Sequence, residues 1–158
     1  MNRTPITRQG YDRLWAEIHR LQQEERPRVL EAIAEARRHG DITENAEFEA
    51  AKERQAMVEG KINDLYKKLS ECEVVEPPKA PSERVVFGST VVLENQDTGE
   101  EVRYRLVGPF ESDLASGTIS VTSPIGQAVI GKEVGDEVQV RTPGGMKRFE
   151  IIDISYAN

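Results

Sequence analysis

The chain has 158 residues, of which 37 % are hydrophobic and 31 % are charged, and its formal net charge at pH 7 is −7. This length allows one ordinary domain or two small ones. The charge content suits an elongated soluble protein better than one with a single large core. Proteins that grip duplex DNA through its phosphates are usually basic, so the acidity argues against autonomous DNA binding. It favours a protein partner with basic surfaces, or a metal ion.

The chain shows no sequence signal for membrane insertion or secretion. No apolar run approaches the roughly 18–20 residues of a transmembrane helix, and the opening MNRTPITRQG lacks the pattern of a signal peptide. The single cysteine, Cys72, rules out an internal disulfide and falls on an apolar helical stripe, which predicts a buried thiol. We therefore expect a cytoplasmic protein.

The first half has the periodicity of two helices. From Thr7 to about Val75, apolar residues recur at intervals of three and four on two segments joined by a short turn. The stripe members are Leu14, Ile18, Leu21, Val29, Ile33 and Ala36, then Ala51, Gln55, Val58, Ile62, Leu65, Leu69 and Cys72. This pattern predicts an antiparallel coiled-coil hairpin. Pro27 lies where the first stripe breaks, which predicts a kink and a register adjustment.

A Pro-rich stretch, EVVEPPKAPSER, separates this half from one with a period of two. We predict a hairpin domain at 1–75, a linker at 76–84 and a second domain at 85–158. Strands are predicted at 85–95, 100–108, 117–123, 136–142 and 147–155, with a hairpin turn at TPGG and one short helix inside 123–136. The fold class is therefore α+β, with a helical hairpin followed by a small antiparallel sheet that carries one helix.

Two acids, Asp41 and Glu44, stand in the turn segment GDITENAEFEAAKE. An Asp followed three residues later by Glu is a capping box, although Thr43 is a competing cap. Taken alone, capping is the simpler interpretation. The same spacing could present two carboxylates to a hard cation such as Mg²⁺, whose remaining ligands a partner would have to supply.

Basic residues surround the same turn: Arg37, Arg38, Lys52 and Arg54. They are either ordinary solvated helix faces that pair with neighbouring glutamates, or a phosphate-binding patch.

In the second half, Ser123 before Pro124 predicts a helix cap. The apolar residues Ile125, Val129 and Ile130 form either a docking surface or part of the core. The chain has no P-loop, nucleophile elbow or zinc spacing that would mark a self-contained enzyme.

Two long motifs in this order resemble a known family. GDITENAEFEAAKE and SPIGQAVIGKEVGDEVQV, with the following TPGG, are similar to the signatures of the bacterial Gre transcript cleavage factors, the GreA type more than the GreB type. The resemblance implies a C-terminal domain of FKBP-like fold that docks at the rim of the secondary channel of RNA polymerase, while the hairpin enters the channel. The docking residues that it implies are Ser123, Pro124, Ile125 and Gly126.

The resemblance also implies a mechanism. Asp41 and Glu44 would help to hold a Mg²⁺ at the polymerase's own active centre, so that the nascent RNA 3′ end of a backtracked complex is hydrolysed and elongation resumes. The chain would then be a monomeric cofactor of RNA polymerase that binds no metal when isolated, and not an enzyme. The basic patch that the resemblance implies for contact with the RNA end falls on Arg37 and Lys52, with Arg38 and Arg54 beside them.

Three positions depart from the family pattern: Ile42 stands where Leu is usual, Phe48 where Tyr is usual and Gln127 where Arg is frequent. Two alternative functions stay open. A channel-binding protein that inhibits polymerase without any cleavage would need no acid pair. A prolyl isomerase or chaperone is suggested only by the implied fold, and fold does not carry activity.

Overall fold

The computed structural model describes residues 3–39, 45–76, 78 and 83–156. Contacts divide the chain into a hairpin unit, Tyr11–Glu71, and a sheet unit made of Met1–Gly10 and Cys72–Asn158. The sequence pattern predicted a hairpin domain that begins at residue 1, whereas the contacts assign the first ten residues to the sheet unit. Among the described helices, none is long and apolar enough to cross a membrane.

The helices of the first half are α1, Arg8–Arg20; α2, Arg26–Arg38; and α3, Ala46–Glu71. Helices α2 and α3 pack antiparallel along one apolar seam, because the spacing of their apolar residues places each stripe on one helix face. The buried members of this seam are Leu21, Val29, Ile33, Ala51, Val58 and Ile62. Beyond the seam, Trp15 meets Tyr66 of α3 edge to face, with ring centroids 5.7 Å apart. The predicted helical hairpin is confirmed.

A π-helical turn, Leu21–Glu25, joins α1 to α2. The N–H of Arg26 donates to the carbonyl of Leu21, five residues back, and Pro27 follows in the first turn of α2. Proline has no N–H to continue the helical ladder, and a π turn inserts one extra residue into the helix. The insertion lets the buried stripe that ends at Leu21 resume at Val29. The register adjustment predicted at Pro27 therefore takes the form of a π turn.

The elements of the sheet unit are β3, Ser89–Asn95; β4, Glu101–Val107; a 3₁₀ turn, Leu114–Ser116; β5, Thr118–Ser120; α4, Pro124–Val129; β6, Glu137–Thr142; and β7, Gly145–Tyr156. These five strands form one sheet in the order β5-β4-β3-β7-β6. Helix α4 packs near β6, and the residues between sheet and helix are buried: Val85, Val91, Leu93, Leu106, Ile119, Val129, Val138, Val140, Phe149 and Ile151. The predicted α+β class, with one short helix on the sheet, is confirmed.

Two differences from expectation concern β5. The pair β4–β5 is parallel, while the other three pairs of the sheet are antiparallel. Strand β5 ends at Ser120 instead of residue 123, because Ser123 accepts from the N–H of Gly126 and so begins α4. The predicted strand was too long because helix capping outweighs the strand propensity of the residues before it.

The ends of the helical region also differ from expectation. Strand β1, Thr4–Ile6, pairs in parallel with β2, Cys72–Val74, so the helical pattern stops at Glu71 rather than near Val75. Cys72 is buried as predicted, but it lies in a strand and not on the helical stripe. Pairing between residues some 68 positions apart supplies hydrogen bonds that a local pattern does not reveal.

One bidentate ion pair spans the hairpin and gives a pH-dependent prediction. The Arg26 guanidinium donates to the Glu59 carboxylate at 2.7 and 2.8 Å. This hydrogen bond lowers the pKa of Glu59 below its ordinary value of 4.5, so the pair stabilises the fold above that pH and loses its effect as pH falls through the lowered pKa. Both side chains are partly exposed to solvent, which keeps the contribution small.

We expect Arg26→Gln to lower the thermal midpoint of the hairpin at about pH 7 and to leave it equal to wild type near pH 2, where the carboxylate is protonated. Circular dichroism melts across this range provide the measurement, with the exposed Arg13→Gln as the matched control. A difference that persists unchanged at the acid end would contradict the assignment.

Candidate functional site

The candidate site is the turn between α2 and α3. Helix α2 ends at Arg38 and α3 begins at Ala46. The predicted acids Asp41 and Glu44 fall in this interval and lie outside the described residues. What the structure describes are the two helix ends that carry the turn, and the basic residues predicted around it.

Asn45 caps the start of α3. Its side-chain Oδ1 accepts from the N–H of Phe48 at 3.1 Å, which is the bond of an N-cap residue, and its Nδ2 donates to the carbonyl of Ala36 at 2.7 Å. One amide therefore caps the beginning of α3 and also binds the carbonyl of Ala36 at the end of α2, which accepts from the N–H of His39 as well. The sequence analysis missed this residue, although Asn directly before a helical pattern is a known signal for a cap.

The cap bears on the two interpretations of the acids. Because Asn45 holds the N-cap position of α3, the capping role considered for Asp41 and Thr43 is already filled at this helix. Glu44 directly precedes the cap, and Asp41 stands four residues before it. The N-cap of α3 therefore does not require either acid.

Two of the predicted basic residues share one side of the hairpin, which we call the Phe48 flank. The Arg37 guanidinium lies over the Phe48 ring, 5.8 Å from its centroid, in a cation–π contact that holds the charge in place. On the same side of α3, one turn beyond Phe48, Lys52 donates to Gln55 at 3.2 Å. Phe48 stands where Tyr is usual in the family, and its ring still provides the aromatic face that Arg37 contacts.

Arg54 lies on the opposite side of the hairpin, which we call the Arg54 flank. It lines an open groove of about 460 Å³ together with Arg28 and three glutamates: Glu31, Glu35 and Glu47. Arg38 extends toward Glu31, with 4.0 Å between nitrogen and oxygen. The structure therefore divides the predicted basic patch: Arg37 and Lys52 stand together, whereas Arg38 and Arg54 stand among acids.

Among the described residues, no group of three or more His, Cys, Asp or Glu side chains is arranged to hold a metal ion. The donor set at the turn consists of two carboxylates, which suit Mg²⁺ in kind but fall short of its six ligands. Two carboxylates as a donor set fit a metal ion whose other ligands a partner would supply.

The second predicted site, Ser123–Gly126, forms the start of α4. The Ser123 hydroxyl accepts from the N–H of Gly126 at 3.1 Å and donates to the Ser120 carbonyl at 2.6 Å, which confirms the predicted cap. A Cβ on Gly126 would lie 2.3 Å from the Ser120 carbonyl oxygen, so only glycine fits there. Pro124 is exposed.

The apolar residues of the same motif divide between core and surface. Val129 is fully buried, and Ile125 is partly buried against the same core. Ile130 is 40 % exposed and lines an apolar groove of about 480 Å³ with Pro5 and Phe87. The burial interpretation thus holds for Val129, while Ile130 is a surface residue.

Comparison with known proteins identifies the chain. The family model for the N-terminal part of transcription elongation factors matches residues 4–74, and the model for the C-terminal part of the factors GreA/GreB matches residues 80–156. The transcription elongation factor GreA of Syntrophobacter fumaroxidans is 58 % identical over 154 residues, which cover 98 % of this chain and 99 % of that protein. GreA of Phenylobacterium zucineum is 50 % identical over 156 residues, with 99 % of each chain covered.

Solved structures of similar chains exist as well. GreA factor homolog 1 of Thermus thermophilus is 30 % identical, with 96 % of this chain and 98 % of that chain covered and a TM-score of 0.42. A GreA/GreB factor of Nitrosomonas europaea is 35 % identical, covers 61 % of this chain and 80 % of its own, and has a TM-score of 0.44.

These sequence matches place a protein with a helical hairpin and a small sheet among the transcription elongation factors. The chain belongs to the GreA/GreB family. Within that family it is of the GreA type, as shown by its identity to GreA proteins over nearly its whole length.

The cap at the turn gives a second prediction. We expect Asn45→Ala to destabilise the hairpin by about 1 kcal/mol or more, because both the N-cap bond and the bond to Ala36 are lost. Asn45→Asp keeps the cap oxygen but not the donor to Ala36, and should fall between Ala and wild type. Urea denaturation followed by circular dichroism measures the difference, and an Asp variant as unstable as the Ala variant would contradict the cap.

Proposed function

We propose that the chain stimulates the cleavage of nascent RNA by RNA polymerase itself, in complexes that have backtracked. The hairpin enters the secondary channel, the sheet unit docks at the channel rim, and the chain acts as a monomer. The observation that carries this proposal is the N-cap of α3: Asn45 fills it, which leaves the acid pair of the turn available for chemistry.

Asp41 and Glu44 are the residues that we assign to the chemistry. Carboxylate oxygens are the ligands that Mg²⁺ prefers, and two of them would complete a site whose other ligands belong to the polymerase. A second metal ion in such a site supplies Lewis-acid stabilisation of the attacking and leaving oxygens. The chain's own contribution is the negative charge of these two acids at the turn of a long hairpin. A hairpin that enters the secondary channel can carry this charge to the buried active centre of the polymerase.

Arg37 and Lys52 are the residues that we assign to the RNA end. They share the Phe48 flank, and the cation–π contact fixes the Arg37 guanidinium at little cost in side-chain entropy. Arg54 stands among three glutamates, which weaken its attraction for a phosphate. We therefore assign the RNA contact to Arg37 and Lys52, the pair on which the family resemblance centres the patch, and not to Arg38 and Arg54, which lay beside that pair in the sequence prediction.

Docking is assigned to the start of α4. The bonds of Ser123 and the tight fit of Gly126 make this turn rigid, and the exposed Pro124 and Ile130 present apolar surface on either side of the helix. A rigid surface loses little conformational entropy on binding, so it suits a partner that must be held in one orientation.

The acid pair gives the central prediction. The double variant Asp41→Asn, Glu44→Gln should lower the cleavage rate of a backtracked complex by about a hundredfold, as expected for the loss of charge that stabilises a transition state. Its melting temperature should stay at the wild-type value, because Asn45 caps α3. The control is Glu49→Gln, which removes one exposed charge from the first turn of α3.

RNA length on a denaturing gel and thermal melts of each protein are the measurements. If the double variant cleaves as wild type does, the acids have no chemical role. If wild type binds and inhibits the polymerase without any cleavage, the chain is the non-cleaving channel inhibitor, and the proposal fails.

The divided basic patch gives a further prediction. Arg37→Gln and Lys52→Gln should each slow cleavage by about tenfold, the value of one charge-assisted hydrogen bond to RNA phosphate. Arg54→Gln, which removes the same charge from the other flank, should change the rate less than about twofold. Equal losses from all three variants would restore the broader patch.

A further inference from the structure

Glu111, in the loop after β4, is a half-buried carboxylate that neither the proposed chemistry nor the proposed docking uses. Its Oε2 accepts from the N–H of Thr7 at 2.7 Å and from the N–H of Gly108 at 2.9 Å. Its Oε1 accepts from the Thr7 hydroxyl. Three donors on one carboxylate, two of them backbone N–H groups, hold the side chain in a single place.

Thr7 connects this carboxylate to a helix. It is the residue before α1, and its Oγ1 accepts from the N–H of Gly10 at 3.0 Å, which is an N-cap bond. The hydroxyl thus donates to Glu111 and accepts from Gly10 at the same time. The carboxylate also stands at the positive end of the α1 dipole, where negative charge is favourable.

Two glycines allow the segments to meet so closely. A Cβ on Gly10 would lie 2.1 Å from Oε1 of Glu111, and a Cβ on Gly108 would lie 2.0 Å from the Pro5 carbonyl oxygen. A side chain at position 108 would meet the Pro5 backbone and force these segments apart, and one at position 10 would displace the Glu111 carboxylate. The chain around Pro5 and Gly10 is therefore packed directly on the loop that carries Glu111.

We propose that Glu111 is a positioning residue for transcript cleavage, a role that rests on the proposed function. It fixes where α1 starts on the sheet unit. Since α1 leads into the hairpin that carries the acid pair, a loosely held start would spread the positions available to those acids. Misplacement of a reacting group by about 1 Å can cost a large factor in rate, up to roughly a hundredfold.

The proposal predicts a particular kinetic pattern. Among the described residues, no hydrogen bond joins Glu111 directly to the docking residues Ser123–Gly126, so loss of Glu111 should leave the factor concentration for half-maximal cleavage within about twofold of wild type. The maximal cleavage rate at saturating factor should fall by about tenfold. A residue that only supports docking would give the opposite pattern.

The experiment uses the full chain and backtracked RNA polymerase complexes, below the lowest melting temperature of the set. The variants are Glu111→Ala, Thr7→Val and their combination, with Thr7→Ser as the conservative variant that keeps the hydroxyl. Glu100→Ala, at an exposed glutamate of the same unit, is the matched control. We expect both single variants to lose maximal rate, the combination to lose no more than the worse single variant, and Thr7→Ser and Glu100→Ala to behave as wild type.

Three results would overturn the proposal: a raised half-maximal concentration with an unchanged maximal rate, independent losses that multiply in the combined variant, or a Thr7→Ser variant as poor as Thr7→Val. Amide hydrogen exchange at Gly10 tests the contact without any cleavage assay, because Glu111→Ala should speed it at least about tenfold while Glu100→Ala should not. Wild type that fails to cleave would defeat the proposed function alone, and unchanged exchange at Gly10 would defeat the positioning role alone.

Discussion

The narrow apolar seam between α2 and α3 is the constraint on which the rest of the hairpin depends. Two packed helices bury only one stripe each, so there is little core to tolerate an error of register. Pro27 would disturb that register, and the π turn Leu21–Glu25 absorbs the disturbance before α2 begins. The extra residue keeps Val29 and Ile33 on the side that faces α3.

A structure with so thin a core also depends on how its helices start. The caps of α1 and α3 solve this problem in the same way, with a side-chain oxygen that accepts from the N–H three residues later: Thr7 for α1 and Asn45 for α3. Each of the two makes a second bond to another segment, Thr7 to Glu111 and Asn45 to Ala36. These caps therefore tie their helices to neighbouring segments as well as stabilising them.

Some charged residues of the hairpin pair with one another, and Arg37 does not belong to these pairs. Arg26 and Glu59 pair across the helices, and Arg20 bridges Glu17 and Glu25 beside the π turn. These pairs neutralise one another, which leaves little net field where they stand. Arg37 instead rests on an aromatic ring, so its charge is positioned without being cancelled. This is the electrostatic reason for assigning the RNA contact to the Phe48 flank.

The sequence by itself determined the two halves, the hairpin, the order of the five strands along the chain and the Ser123 cap, because each depends on local periodicity or on neighbours a few residues away. It also determined the family, through two long motifs. Only the tertiary structure decided that β1 pairs with β2, that Arg37 lies over Phe48, and that Glu111 holds Thr7. These contacts join residues 68 and 104 positions apart, or depend on how two helices pack against each other. Asn45 lies between the two cases: its cap bond is local, but the bond that ties it to Ala36 forms only when the two helices are packed side by side.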